Sequence, residues 1–248
     1  MKLKFSKFPA GTSNSSGSGC DVLFIHGTGS SAKMWESQVA FLNHLGHNCF
    51  AIDLRGHGES EEPCEPTDLA VHTDDILETL DCADINFPCA FVGHSLGAII
   101  SVSMAQTRPE LFKVVFAAAL PARVLKPVSL VFRVFMGTTF DTIKTSGVHR
   151  NWSFRPRTLI ETERHALEEI MRNFEAVDFL TEPPVLQCPL HLAAGRFDPV
   201  APCHYAVDLH KRLPLSTLEI FEMAGHNFMD MYPEKFNSWL ERGLAELT

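Results

Sequence analysis

The chain has 248 residues, 45% of them hydrophobic and 21% charged, with a formal net charge of −9. That apolar share is enough to bury one large core and excludes a disordered chain, while the acidic balance argues against a nucleic-acid partner, itself a polyanion. The opening MKLKFSKFPAGTS carries lysines without the apolar stretch of a secretory signal, and no apolar run approaches the ~18–20 residues of a membrane span.

In chain order, residues 3–8 read as a short strand, and the low-complexity stretch GTSNSSGSG (11–19) as a turn after it. DVLFIHG (21–27) is a buried strand by its apolar run. Residues 33–45 place Met34, Trp35, Val39, Leu42 and Leu45 at helical spacing. NCFAIDL (48–54) is a second buried strand. Residues 67–84 are helical, with Leu69, His72, Ile76, Leu77 and Leu80 on one face. CAFVGHS (89–95) is a third buried strand, followed by a helix over 96–107, and KVVFAAAL (113–120) is a fourth. Strands alternating with helices in this way imply βαβ units and a mostly parallel sheet.

The rhythm stops at Pro121. Residues 121–186 hold an apolar helix-like run, a polar loop with Trp152 and Phe154, and one long helix near 159–178, with no strong strand signal. Within 160–178, Glu161, Glu163, Glu168, Glu169 and Arg172 fall mostly outside the apolar stripe. Alternation resumes with a strand at 189–195, a helix at 202–213, a strand at 217–225 and a helix within 232–247. The fold class is therefore α/β: a mostly parallel central sheet flanked by helices, with residues 1–120 and 187–248 as the core domain. Residues 121–186 form a helical cap inserted into it.

FVGHSLG puts Ser95 between Gly93 and Gly97, where a strand gives way to a helix. Such a sharp turn exposes the hydroxyl at the carboxyl edge of a parallel sheet, and leaves no room for side chains two residues either side. The helix start beneath supplies free N–H groups and partial positive charge. A serine hydroxyl is a weak nucleophile without a base, and a base needs an acid to orient it. Twelve histidines make composition uninformative. Position selects His226, directly after the last strand, and Asp198, directly after the strand before it. The order Ser, Asp, His is that of the G-x-S-x-G hydrolases.

With these motifs the chain resembles the α/β-hydrolase superfamily. The resemblance implies Ser95 as nucleophile, Asp198 as acid and His226 as base. HGTGSS (26–31) is similar to the loop after the third strand of that fold, where the residue following His-Gly donates an oxyanion-hole N–H. That implies Thr28 as one donor and Leu96, after the nucleophile, as the other. DLRGHGES (53–60) matches the loop after the next strand. The family usually opens with a β-hairpin, whereas this N-terminus has room for one strand. Residues 121–186 sit where the family carries its lid.

Other histidines read as structural: His26 and His57 serve loop packing, and His204 and His210 suit a solvated helix face. No HExxH or comparable ligand set is present, so neither metal nor cofactor is expected. The seven scattered cysteines (20, 49, 64, 82, 89, 188, 203) include no CxxC pair, which favours a reducing, cytoplasmic setting. Phenylalanines 132, 135, 140, 154, 174 and 179 of the insertion are divided between an acyl pocket and holding the cap to the core. The expected activity is hydrolysis of a carboxylic ester of a small or medium apolar substrate through an acyl-enzyme, with a small-molecule ester as partner and no nucleic acid. Monomer and dimer both remain open. The alternatives are a ligand receptor with slow residual hydrolysis, or thioester, C–C bond, perhydrolase or hydroxynitrile-lyase chemistry on the same scaffold. A nucleophilic aspartate, as in epoxide hydrolases, is excluded by Ser95.

Overall fold

The alternation of apolar runs with helical periods becomes one sheet. The computed structural model describes residues 1–10, 19–61, 65–124 and 126–247. The Gly/Ser-rich stretch expected to turn after the first strand, and Cys64, lie outside the described residues, apart from Gly19. The strands are β1 (Lys4–Phe8), β2 (Val22–Ile25), β3 (Cys49–Asp53), β4 (Cys89–His94), β5 (Phe112–Ala118), β6 (Leu190–Gly195) and β7 (Ser216–Phe221). Their order across the sheet is β1-β3-β2-β4-β5-β6-β7. All neighbours are parallel except β1, which runs antiparallel to β3. Among the described residues β1 alone precedes β2, and its Lys4 and Lys7 keep the sheet edge charged.

Period-two side-chain alternation sorts the strand residues into two cores. Leu23, Ile25, Phe50, Ile52, Phe91, Val115 and Leu192 face the side covered by α2 (Leu69–Leu80) and α3 (Leu96–Thr107). Val22, Phe24, Ala51, Val92, Phe116 and Phe221 face the side covered by α1 (Glu36–His44) and the C-terminal helix Pro233–Ala245. Strands buried on both faces are why the sequence reads as continuous apolar runs rather than alternating ones. The chain winds outward in opposite directions from β2 and β4. These neighbours pair Ile25 with Gly93, and the loops leaving their carboxyl ends flank the crevice in which such sheets bind ligands.

Between β5 and β6 the chain forms α4 (Lys126–Thr138), α5 (Phe140–Ser146), α6 (Phe154–Glu161) and α7 (Arg164–Asn173). Met136, Phe140, Ile160 and Leu167 give these helices a small apolar core of their own. The expected single helix near 159–178 is instead two. Thr162 and Glu163 are extended, and the Glu163 N–H donates to the Gly56 carbonyl of the core rather than continuing a helical ladder. Phe154, expected in a loop, opens α6. Glu169, one of the charged residues read as mostly outside the apolar stripe, turns inward. It is buried, accepts from the Thr67 N–H at 3.2 Å and from Arg172 at 2.5 Å, and so ties α7 to the segment before α2. The remaining helices are α8 (Cys203–His210), α9 (Phe228–Met231) and α10 (Pro233–Ala245). Among the described residues no helix is long and apolar enough to cross a membrane.

Candidate active site

Ser95 stands between β4 and α3 with φ 52° and ψ −110°, a left-handed conformation that disfavours any residue but glycine. Such strain costs roughly 1–3 kcal/mol and persists only where the surroundings impose it. Here they do. A Cβ on Gly93 would lie 2.4 Å from the Gly97 carbonyl oxygen, and one on Gly97 would lie 2.2 Å from the Ile25 carbonyl oxygen. Strand, elbow and helix are pressed together past the point where side chains fit, and the Ser95 hydroxyl is held at the sheet edge.

Asp198 and His226 follow β6 and β7 and reach the same point. The Ser95 hydroxyl donates to His226 Nε2 at 3.0 Å, and His226 Nδ1–H donates to Asp198 Oδ2 at 2.8 Å. The second carboxylate oxygen, Oδ1, accepts the N–H groups of Val200 at 2.8 Å and Ala201 at 2.9 Å, which fixes the plane of the Asp198 carboxylate. The Asp198 side chain is fully buried and that of His226 is partly open. The structure therefore brings all three sequence-selected side chains into one hydrogen-bonded line, able to pass a proton from hydroxyl to imidazole.

Thr28 and Leu96 border the same cavity as Ser95. Leu96 opens α3, where backbone N–H groups have no partner within the helix. The Thr28 loop comes close to the elbow because residue 27 is glycine. A Cβ there would be 2.7 Å from His94 Nδ1 and 3.1 Å from Ser95 Cβ.

The histidines read as loop packing are more specific than that. His57 donates from Nδ1 to the Arg55 carbonyl at 2.8 Å, so its Nε2 is an acceptor, and it takes the Gly29 N–H at 3.0 Å. His26 Nε2 accepts the Leu54 N–H at 2.9 Å. Both rings brace the Thr28 loop. Burial pushes His26 down to about 4 and His57 to about 3, so both stay neutral and able to accept.

Two residues of the site were not singled out from the sequence. His94 is buried beside the His226 ring at 4.9 Å between centroids, and its Nε2 donates to the His226 carbonyl at 3.2 Å. Burial holds it well below the ordinary histidine range. Its position beside Ser95 in the elbow was the available signal. Arg155 of α6 was invisible, because nothing in a helix pattern says which charge turns inward.

The cavity above Ser95 has a volume of about 440 Å³. Its wall is largely apolar, with Ile99, Leu159 and Ile170 among the aliphatic residues. Of the insertion's six phenylalanines, Phe132 and Phe174 line it. Phe135 and Phe140 pack edge-on against each other inside the insertion, Phe154 packs on the α1 side of the sheet and Phe179 on the α3 side.

The model of the Alpha/beta hydrolase family matches residues 22–239. The AB hydrolase superfamily protein YisY of Bacillus subtilis is 25% identical over 90% of both chains. A non-heme chloroperoxidase of Streptomyces lividans is 25% identical, covering 88% of this chain and 89% of its own. Among solved structures, an esterase from Exiguobacterium antarcticum superposes with a TM-score of 0.82 over 98% of this chain and 95% of its own. At 18% identity that likeness is one of fold.

Proposed function

This chain belongs to the alpha/beta hydrolase family, and from that premise we propose that it hydrolyses carboxylic esters with a small or medium apolar acyl chain, using Ser95, His226 and Asp198. The observation that carries the reading is the unbroken hydrogen-bonded line from the Ser95 hydroxyl through His226 to Asp198.

His226 Nε2 takes the hydroxyl proton as Ser95 Oγ attacks the ester carbonyl carbon. The carbonyl oxygen becomes an oxyanion, held by the N–H groups of Thr28 and Leu96, each contributing roughly 3–4 kcal/mol in comparable sites. The imidazolium gives its proton to the alkoxide oxygen, and the alcohol leaves. Water enters, loses a proton to His226, and attacks the acyl-enzyme. The acid departs as the proton returns to Ser95. Asp198 stays ionised throughout and stabilises the imidazolium. His94, neutral through burial, adds no positive charge beside the imidazolium. The chemistry needs no cofactor. The scattered cysteines, with no CxxC pair, favour a reducing, cytoplasmic setting.

In the same reading the insertion acts as a cap that selects the acyl chain through Phe132 and Phe174. A panel of p-nitrophenyl esters of rising acyl length tests both parts. Sustained turnover, rather than one burst followed by a stall, is expected for medium-chain esters. Replacing Phe132 and Phe174 together by alanine is expected to lower kcat/KM for the hexanoate by about 10–100-fold while sparing the acetate, since one lost apolar contact is worth roughly 1–3 kcal/mol. Equal losses for both esters, with circular dichroism unchanged, would remove the cap from substrate selection.

A further inference from the structure

We propose that Asp230 sets the charge selectivity of this cavity by neutralising Arg155, so that the substrate is an ester without a carboxylate or phosphate group. The proposal rests on the ester-hydrolase reading above and names the substrate class of the same site.

Arg155 is the one Lys, Arg, Asp or Glu among the described residues bordering the cavity. It projects from α6, and its side chain is mostly buried, 17% exposed. Its Nε donates to Asp230 Oδ2 at 2.6 Å and its Nη2 to Asp230 Oδ1 at 2.9 Å, a two-pronged fork. Nη1 reaches back to Ser30 Oγ at 3.2 Å and Met34 Sδ at 3.3 Å. Asp230 lies on α9, four residues after His226, and does not border the cavity. The cation therefore borders the cavity, while its counter-charge does not and is 40% exposed to solvent.

This arrangement has a consequence for what can bind. An anionic substrate must shed its hydration, and a guanidinium already forked to a carboxylate offers it no uncompensated charge in return. A neutral ester suffers no such loss. In this proposal the aliphatic and aromatic residues of the lining take the acyl chain, and the polar Ser30, Arg155 and Asn227 meet the alcohol. Removing the Asp230 charge would leave Arg155 as an unpaired cation there, with the planar donor geometry that carboxylates prefer.

The test uses the full-length enzyme and two matched esters, 4-carboxyphenyl hexanoate and its carboxyl methyl ester. The readout is the ratio of their kcat/KM values, in which any general loss of active protein cancels. The unaltered enzyme is expected to prefer the neutral ester by about tenfold or more, and Asp230→Asn to shift the ratio toward the anionic ester by roughly tenfold. Adding Arg155→Met to Asp230→Asn should abolish that shift. Arg155→Met alone, which leaves Asp230 unpaired and needs no folded Asp230 variant, should move the ratio further against the anion. A ratio unmoved by either single substitution, or a shift that survives the double one, overturns the proposal and makes the pair a strut between α6 and α9. Turnover of neither ester by the unaltered enzyme would instead overturn the ester-hydrolase reading.

Discussion

Asp198→Asn is expected to lower kcat for ester hydrolysis by roughly 10⁴-fold while leaving the fold intact. The size of the loss follows from the loop around the side chain. Asp198 Oδ1 accepts two N–H groups, from Val200 and Ala201, so an asparagine must turn its carbonyl oxygen to that side. Its amide NH₂ then faces His226 Nδ1, which can only accept. The imidazole proton moves to Nε2, the atom that must receive the Ser95 proton. Turning the amide over would set its NH₂ against two N–H donors, which is worse. Geometry survives while the tautomer is wrong, so kcat falls with little change in the thermal melt. A kcat within tenfold of the unaltered enzyme would place the orienting acid elsewhere.

The second large effect is on stability in acid. His26, His57, His72 and His94 are all buried, and burial lowers His26 to about 4, His57 and His72 to about 3, and His94 well below the histidine range. In the unfolded chain each titrates near its model value of 6.5. Their folded values are depressed, so the unfolded state binds more protons below that pH. The stability they contribute is complete above about 6.5 and is lost as pH falls toward the folded values. Between the unfolded and folded values each such group weakens stability by at most about 1.4 kcal/mol per pH unit, so the four together make the loss in acid steep. Denaturant melts are expected to show stability falling steeply below about pH 6. His72 offers the cleanest check, because among the described residues neither ring nitrogen has a hydrogen-bond partner. His72→Leu should leave stability at neutral pH unchanged or raised, and flatten the acid slope by about 1.4 kcal/mol per unit. A stability that stays flat down to about pH 5 would contradict the neutral state of these rings.

What the sequence made legible follows from range. Strands buried on both faces write themselves as apolar runs, and the glycines around Ser95 mark a turn that only they permit, so the sheet and the elbow were readable. The split at Thr162 and Glu163 was not. Its cause is a hydrogen bond to Gly56, more than a hundred residues upstream, and helical periodicity carries no record of it. The same holds for the buried pair of Arg55 with Asp75 at 2.7 Å, where a charge sits inside an otherwise amphipathic α2. Phe135 and Phe174 look alike as aromatic positions, yet one fills the insertion's own core and the other lines the cavity. Which aromatic meets the substrate depends on how α4 and α7 pack, and packing is not written in a period.

The central claim is that Ser95 attacks the substrate covalently, and its most direct test is labelling with an alkyl fluorophosphonate followed by peptide mass spectrometry. One adduct per chain is expected, on the peptide that contains Ser95, and none after Ser95→Ala. An adduct on another residue, or labelling that persists in Ser95→Ala, would contradict it.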